Sequence, residues 1–531
     1  MVFTSQYPKL EIPDVGVSAF LFDTLEVGDL DRVAVIDPRT GTETTYGQLR
    51  AQVNALAGAL AARGVGVGTV MALLCPNIPA YITAIQGMLR AGATVTTVNT
   101  LYGPDEIEAQ LIDSQATWMV TISPLLPQCA AAAARVGIPG DRIVVIDGAP
   151  GHPDLRGMIA EGRGAPEVHF DPATHVALMP YSSGTTGFPK GVLMSDRNIV
   201  ANTEQTRIVL GPTTDDRVHA VMPFFHVYGL IALMTMALRG RAAIVPMARF
   251  DFVEFLSDLQ RHRCTVVVVA PPIVVGLAKH PAVEQFDLSS VTVVYSGAAP
   301  LDAATAERAS ARVGAPLLQG FGMSELSAVA SAIPRTRGDL PANAVGFLLP
   351  SETCRIVDTA TGAEITEFGD DGWTAPGELW VAGPNVMLGY LGNPEATAAT
   401  VDADGFLHTG DVARVHRDGY LAIVERVKEL IKYHGHQVAP AELEAILLGH
   451  PQIADAAVIG VQDAEGEEFP KAFVVLAPGA QLDADDVMAY VAERVEPHKK
   501  VREVEFIDVV PKSAAGKILR KDLRQREAAS A

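Results

Sequence analysis

The sequence predicts an α/β protein: a large N-terminal part followed by a small C-terminal domain. Three observations carry that reading. From about residue 33 to 460, short β-branched runs alternate with longer helix-like stretches. Strands that read as continuous apolar runs belong to mostly parallel sheets covered by helices on both faces. The rhythm is renewed near Glu425, after which a basic strand and a proline-initiated helix open a segment with its own alternation. Finally, 531 residues, 48% of them hydrophobic and 19% charged, are enough for several cores, roughly three domains' worth of chain.

Taken in order, 46–63 is Ala/Leu-periodic and stops at Gly64, so it predicts a helix. The runs 70–74, 95–98, 118–122 and 143–146 are β-branched and closed by turn residues, so they predict strands. The same signature recurs at 176–179, 192–194, 266–270, 291–295 and 315–318. Asp418-Gly419-Tyr420 closes a hairpin-like stretch. Beyond it, Pro440 with Glu442 and Glu444 in the first turn predicts a helix ending at Gly449. Alternation at 456–461, 472–476, 485–494 and 504–509 completes the small domain.

Several function classes are excluded at this point. A net charge of −21 repels nucleic acid and anionic membrane in the far field. The longest apolar stretches, 229–238 and 265–277, fall short of the roughly 18 residues a membrane span needs, and the second is broken by Pro271 and Pro272. Residues 1–10 carry no basic region followed by an apolar stretch, and 528–531 is not a peroxisomal tripeptide, so a cytoplasmic protein is expected. Cys75, Cys129, Cys264 and Cys354 are too far apart for a zinc-type cluster and read as buried thiols.

Four segments carry chemistry. The stretch 181–191 packs the hydroxyls of Ser182, Ser183, Thr185 and Thr186, the glycines 184, 187 and 191, and Lys190 between two strand-like runs. Glycines let backbone N–H groups wrap an anion, hydroxyls donate to phosphate oxygens, and the lysine adds a charge, which describes a phosphate cradle. It is not a Walker loop, because Gly191 follows Lys190 and a strand rather than a helix comes next. A polar hairpin loop is the plain alternative. In Gln319-Gly320-Phe321-Gly322-Met323-Ser324-Glu325, a glycine-flanked ring suits a planar base and Glu325 offers a hard oxygen for Mg²⁺. A packed turn is the alternative there. Asp411, in His408-Thr409-Gly410-Asp411, can accept ribose hydroxyls or simply form an Asx turn. The fourth is the basic segment 425–437, joined by Lys517 near the C-terminus, which supplies the local cations that a chain of this charge needs for a polyanion.

These segments, in this order and at these spacings, resemble the adenylate-forming superfamily of acyl- and aryl-CoA ligases, luciferases and adenylation domains. The stretches 223–230, 270–274 and 428–444 look most like the 4-coumarate:CoA ligases, bacterial ones included. The resemblance implies a large N-terminal domain of stacked α/β subdomains, 1–424, and a small mobile α+β domain, 425–531. It also implies ATP, Mg²⁺ and coenzyme A, with a carboxylic acid as the small-molecule partner and no nucleic acid or integral membrane contact. Ser182, Ser183, Gly184, Thr185, Thr186, Gly187 and Lys190 would hold the phosphates, with Thr185 and Glu325 near Mg²⁺. Ala298, Gln319, Gly320 and Phe321 would surround adenine, Ser324 would contact the AMP phosphate, and Asp411 and Arg426 would hold the ribose. Lys517 would bridge carboxylate and α-phosphate. Arg249, Lys432, His434 and Gly435 would serve coenzyme A, with Lys428 and Gln437 among the remaining nucleotide and coenzyme contacts. His226, Tyr228, Ala232, Met323, Ala328 and Val329 would line the acyl tunnel, His226 standing between tunnel and reaction centre.

The chain departs from the pattern in places. Glu425 stands where the interdomain acid is usually Asp, Phe321 where Tyr is common, His434 and His436 where a Lys and an aromatic residue are common, and Leu326-Ser327-Ala328 where plant enzymes often have Ala-Gly-Pro. The function this implies is an ATP-dependent carboxylate:CoA ligase acting on a hydroxycinnamate-like or other aryl acid. The alternatives are a medium- or long-chain fatty acyl-CoA or acyl-AMP ligase, and a carrier-protein loader or non-catalytic acyl-adenylate binder.

Overall fold

The computed structural model describes residues 2–182, 189–434, 436–463, 468–513 and 516–530. The first predicted helix forms as Tyr46–Ala61, started by Thr45, whose hydroxyl accepts from the Gln48 N–H in a reciprocal capping box. The strands predicted between 70 and 146 form as Val70–Leu73, Thr94–Thr97, Trp118–Thr121 and Ile143–Val145, joined by parallel ladders in an eight-stranded sheet. Val176–Leu178, Lys190–Ser195 and Gly389–Tyr390 complete its other side, the last two antiparallel.

A second, fourteen-stranded sheet changes character along its width. Ala243–Pro246, Arg217–Ala220, Val266–Val269, Val293–Ser296 and Leu317–Phe321 run parallel, and each is almost wholly buried apart from its ends. From Leu317–Phe321 onward the pairing is antiparallel, through Ser331–Ala332, Gly346–Leu348, Tyr420–Arg426, Leu407–Val415, Gly377–Ala382 and Thr353–Val357. The expectation of mostly parallel strands therefore fails for this half. Its cue was strict alternation, visible in Gly377–Ala382, whose residues alternate between buried and half-buried as in a sheet packed mainly on one face.

The strand before the second motif also extends further than expected. Gln319, Gly320 and Phe321 lie inside Leu317–Phe321 rather than beyond it.

The small domain has its own core around Leu443, Leu447, Val458, Val474 and Val487. It is built from the hairpin Ile431–Tyr433 with His436–Val438, helix Pro440–Leu448, the antiparallel pair Ile453–Gln462 and Glu468–Leu476, helix Ala484–Ala492 and the strand Glu503–Phe506, parallel to Glu468–Leu476. All four cysteines are buried and free. No described helix is long and apolar enough to cross a membrane.

Candidate active site

The parallel strands end where the pairing of the large sheet reverses, and the segments leaving their C-terminal ends converge there. Such switch points are where open α/β sheets bind ligands. His226 follows Arg217–Ala220, Pro271 follows Val266–Val269, Ala298 follows Val293–Ser296, and Glu325 follows Leu317–Phe321. One cavity opens at His226 and Ala298: His226, Tyr228, Ala232, Met323, Ala328 and Val329, the six residues expected along an acyl tunnel, line it together with Ala298, Gly320 and Phe321.

Tyr228 and Ala232 lie on the widened helix Tyr228–Thr235, whose bonds run to the fifth residue, a form found mostly at functional sites. The Tyr228 hydroxyl donates to the Val269 carbonyl at 3.1 Å. Its ring packs on Gly297, where an added Cβ would come within 3.1 Å of that hydroxyl. Gly229 makes no room for a substrate. A Cβ there would sit 2.2 Å from the Pro223 carbonyl oxygen and 2.5 Å from that of Met222, so the glycine serves backbone packing. Gly322 is the same case, since its Cβ would lie 1.7 Å from the Ala328 oxygen. Flanking Phe321 with glycines thus answers close chain approach as well as ring exposure.

His226 is held by its backbone neighbour: the Tyr228 N–H donates to Nδ1 at 3.3 Å, which leaves the proton of the neutral ring on Nε2. Burial, with the Lys517 charge adding to it, pulls its pKa down to about 4. The imidazole is therefore a neutral donor at physiological pH.

The cavity wall at 328–329, with Ser327 before it, is strained and clamped. Ser327 has φ 53° and Ala328 φ 116°, and on the opposite side Ala298 has φ 75°. Such conformations cost about 1–3 kcal/mol each and persist only where surroundings dictate them. Asn202, fully buried, donates to the Val329 carbonyl at 2.7 Å and accepts from its N–H at 3.2 Å. Asn385 donates to the carbonyls of Leu326 and Val329 and to Glu352 Oε1, while Ser327 Oγ donates to the Asn385 carbonyl at 2.8 Å. Burial holds the Glu352 carboxyl well above the usual carboxylate range. Sequence reasoning missed all three residues; their only trace is a polar side chain within an apolar stretch.

On the nucleotide side, Ser182 and Lys190 are cross-strand partners in the pair Tyr181–Ser182 and Lys190–Ser195. Ser183, Gly184, Thr185, Thr186 and Gly187 between them lie outside the described residues. The Lys190 ammonium stands 4.7 Å from the ring centre of Tyr390, and the Tyr390 hydroxyl donates to Glu325 Oε1 at 2.9 Å. Tyr390 thus ties the cradle's lysine to the proposed metal carboxylate. It was missed because it lies some two hundred residues from Lys190 and meets it only through the pairing of Val192 with Tyr390. The Gln319 amide is committed to the Ala342 carbonyl, and Ser324 is nearly buried.

Asp411 faces Arg426 across the antiparallel pair, with Arg426 Nε 3.4 Å from Oδ1. Oδ2 is buried and has no partner among the described residues. Burial outweighs the attraction of Arg426 and Lys517 and lifts the Asp411 pKa to about 6. Lys517 is close enough to Arg426, Asp411 and His226 for their charges to act on one another, and burial, aided by Arg426, brings its pKa down to about 8. The structure therefore brings Lys517, Asp411, Arg426 and His226 together. It leaves Arg249, Lys428, Lys432 and His434 exposed, the last two at the hairpin Ile431–Tyr433 with His436–Val438. Gly435 and the Gln437 side chain lie outside the described residues.

These side chains fit an adenine nucleotide and its metal. A buried carboxylate oxygen with no partner among the described residues suits ribose hydroxyls, and a carboxylate steadied by a phenol suits Mg²⁺, which prefers hard oxygen ligands. Comparison with known proteins agrees with the geometry. Residues 23–391 match the AMP-binding enzyme family and residues 442–517 the AMP-binding enzyme C-terminal domain. The sequence is 40% identical to 4-coumarate–CoA ligase 5 of Oryza sativa subsp. japonica over 539 residues, 99% of this chain and 98% of that protein. In structure it is similar to the anthranilate CoA ligase AuaEII in complex with anthranoyl-AMP, with TM-score 0.89 and 26% identity over 98% of this chain and 99% of that one. It is also similar to a benzoate CoA ligase from Burkholderia xenovorans LB400, with TM-score 0.84 and 26% identity over 96% and 100% of the two chains. The chain belongs to the AMP-binding, adenylate-forming enzymes and, within them, to the group that the 4-coumarate–CoA ligases represent.

Proposed function

We propose that this AMP-forming acid–thiol ligase, an acyl- or aryl-CoA ligase that uses ATP and coenzyme A, acts on an apolar aryl acid of the aryl-propenoic type. The observation that carries the reading is the cavity itself. Tyr228, Phe321 and small apolar residues form its wall, and a neutral histidine lies within electrostatic reach of Lys517. A flat ring with an apolar spacer fits such a wall, and a neutral donor orients a carboxylate without neutralising its nucleophilic charge. The named activities of the relatives, on 4-coumarate, anthranilate and benzoate, support an aryl acid.

The chemistry proceeds in two displacements. A carboxylate oxygen forms a bond to the α-phosphorus of ATP while the bond to the bridging oxygen breaks and pyrophosphate leaves. The coenzyme A sulfur then bonds to the acyl carbon while the bond to AMP breaks. The carboxylate is a poor acyl donor until AMP is its leaving group. Lys517 stabilises the charge that develops in the first displacement, where a positioned cation in a water-poor site acts most strongly. Asp411 and Arg426 hold the ribose, and Lys190 with the loop 182–187 holds the outer phosphates. Glu325, steadied by Tyr390, and Thr185 would hold Mg²⁺, which would supply positive charge beside the outer phosphates. The cations at Lys432 and His434, with Gly435 and Arg249, would serve coenzyme A in a second arrangement of the small domain, with the division of the chain set at 425.

The test is a pyrophosphate-release screen over cinnamic, benzoic and C6 to C16 fatty acids, with and without coenzyme A. Preferential turnover of cinnamic acids, with thioester formed on free coenzyme A, is the expected result. Turnover confined to fatty acids, or no thioester with free coenzyme A, contradicts the reading.

A further inference from the structure

One helix of the large domain touches the small domain at both of its ends. At its C-terminal end the ammonium of Lys279, the last residue of Pro271–Lys279, donates to the carbonyls of Leu448 at 3.2 Å and Ile453 at 3.0 Å. Leu448 ends the helix Pro440–Leu448 and Ile453 begins the first strand of the small domain's three-stranded sheet. A cation at a helix C-terminus satisfies carbonyls that have no partner within the helix and complements its dipole. At the other end of Pro271–Lys279, the chain at Gly516 lies against it. A Cβ at Gly516 would come within 3.0 Å of the Pro272 ring and 3.1 Å of the Ala270 Cβ. Gly516 has φ +81° and precedes Lys517.

The helix Pro440–Leu448 is also held from its start. Glu425 Oε2 accepts from the Ala441 N–H at 2.8 Å, and its Oε1 accepts from the Arg426 N–H at 2.8 Å. A carboxylate on the large-sheet strand Tyr420–Arg426 thus sits at the first turn and a large-domain ammonium at the last. The Lys279 ammonium faces Arg308, Asp302 and Asp455, and burial with Arg308 lowers its pKa. Asp455 is itself paired with Lys512 at 2.6 Å. Within the large domain, Arg312 donates to the carbonyls of Leu277 and His280 at 3.0 Å each, which fixes the end of the helix that carries Lys279.

We infer that Pro271–Lys279 is a two-point seat for the small domain, and that Lys279 is a positioning residue holding Lys517 in the centre for acyl-adenylate formation. The inference rests on the two-step reading above and extends it to residues that reading leaves without a role. Lys279 meets neither the acid nor the nucleotide. Its bonds to Leu448 and Ile453 must break for the small domain to turn its other face to the site. Loss of the seat therefore weakens the first arrangement and leaves the second untouched.

Lys279→Met keeps the aliphatic stem and removes both hydrogen bonds. ATP–pyrophosphate exchange should fall by about tenfold, the scale of losing charge-assisted bonds to two carbonyls. Thioester formation from supplied acyl-adenylate should stay at the level of the unaltered enzyme, which also shows that the variant is folded. Lys279→Arg should restore most of the exchange. Gly516→Ala, which pushes the chain off Pro272, should give the same one-sided loss. Equal depression of both steps, or exchange unchanged in Lys279→Met, overturns the seat. If the unaltered enzyme catalyses no exchange with any acid of the screen, the two-step reading itself falls, and that outcome is distinct from an intact exchange indifferent to Lys279.

Discussion

Asp411→Asn should make the protein more stable and a poorer enzyme at the same time. The carboxyl is 4% exposed, one oxygen has no partner among the described residues, and its pKa stands at about 6 against an ordinary 3.8. At about 1.36 kcal/mol for each tenfold, the ionised group costs the empty fold about 3 kcal/mol at neutral pH. That figure already includes the attraction of Arg426 and Lys517. An amide of the same shape has no charge to desolvate, so roughly 1–3 kcal/mol should return, a rise in Tm of about 1–3 °C for a chain of 531 residues. The sign follows from a raised pKa. The folded state binds the proton more tightly than the unfolded one, so stability is full below about pH 4 and is lost as pH rises through about 6. The advantage of the variant should accordingly be present at pH 7 and vanish near pH 4. The KM for ATP should rise roughly five- to thirtyfold, about 1–2 kcal/mol for exchanging a charged acceptor for a neutral one. Melting curves at both pH values and ATP saturation kinetics check this. A variant less stable at pH 7, or one with unchanged KM for ATP, would refute the idea that the site holds a desolvated carboxylate in readiness for ribose.

Three further outcomes are expected. Because the Lys517 pKa lies at about 8, lowered from 10.5, ATP–pyrophosphate exchange should decline as pH rises above about 8 while the ammonium is lost, and Lys517→Arg should flatten that alkaline limb in a pH profile of kcat/KM. Gly229→Ala forces a methyl against two carbonyl oxygens at 2.2 and 2.5 Å, so thermal stability should drop by about 1–3 kcal/mol with no discrimination among acids. Ala232→Phe places bulk on the cavity wall, and steady-state kinetics should show KM rising roughly tenfold or more for ring-substituted cinnamic acids and little for a short acid.

The parallel strands and the residues at their ends were legible because both signals are local. Apolar runs mark buried strands, and the hydroxyls and glycines of 181–191 read as a phosphate cradle, a segment of which 183–188 lie outside the described residues. Asp411 and Lys517 were legible through the resemblance, and what the structure adds is their physical state, one pKa raised and the other lowered by burial. The antiparallel half of the large sheet was read poorly, since its order depends on pairings between segments far apart in sequence, such as Gly346–Leu348 with Tyr420–Arg426. The same limit hid Tyr390, Asn202, Asn385 and Glu352. Each acts through contacts fixed by long-range register, as when Asn385 reaches Leu326 and Glu352 from a turn beyond a different strand. Gly229 shows a related limit. A small residue in an apolar segment makes room either for a substrate or for a backbone, and only the position of the Met222 and Pro223 carbonyls distinguishes the two.

The division of labour between the two faces of the small domain is the central claim, and Lys517→Ala tests it most directly. Both half-reactions are measured in that variant: ATP–pyrophosphate exchange with the preferred acid, and thioester formation from supplied acyl-adenylate and coenzyme A. Exchange should fall by roughly a hundred- to a thousandfold, about 2.7–4 kcal/mol, as for other preorganised donors removed from a developing charge. Thioester formation should remain close to that of the unaltered enzyme. Equal losses in the two steps would contradict the account.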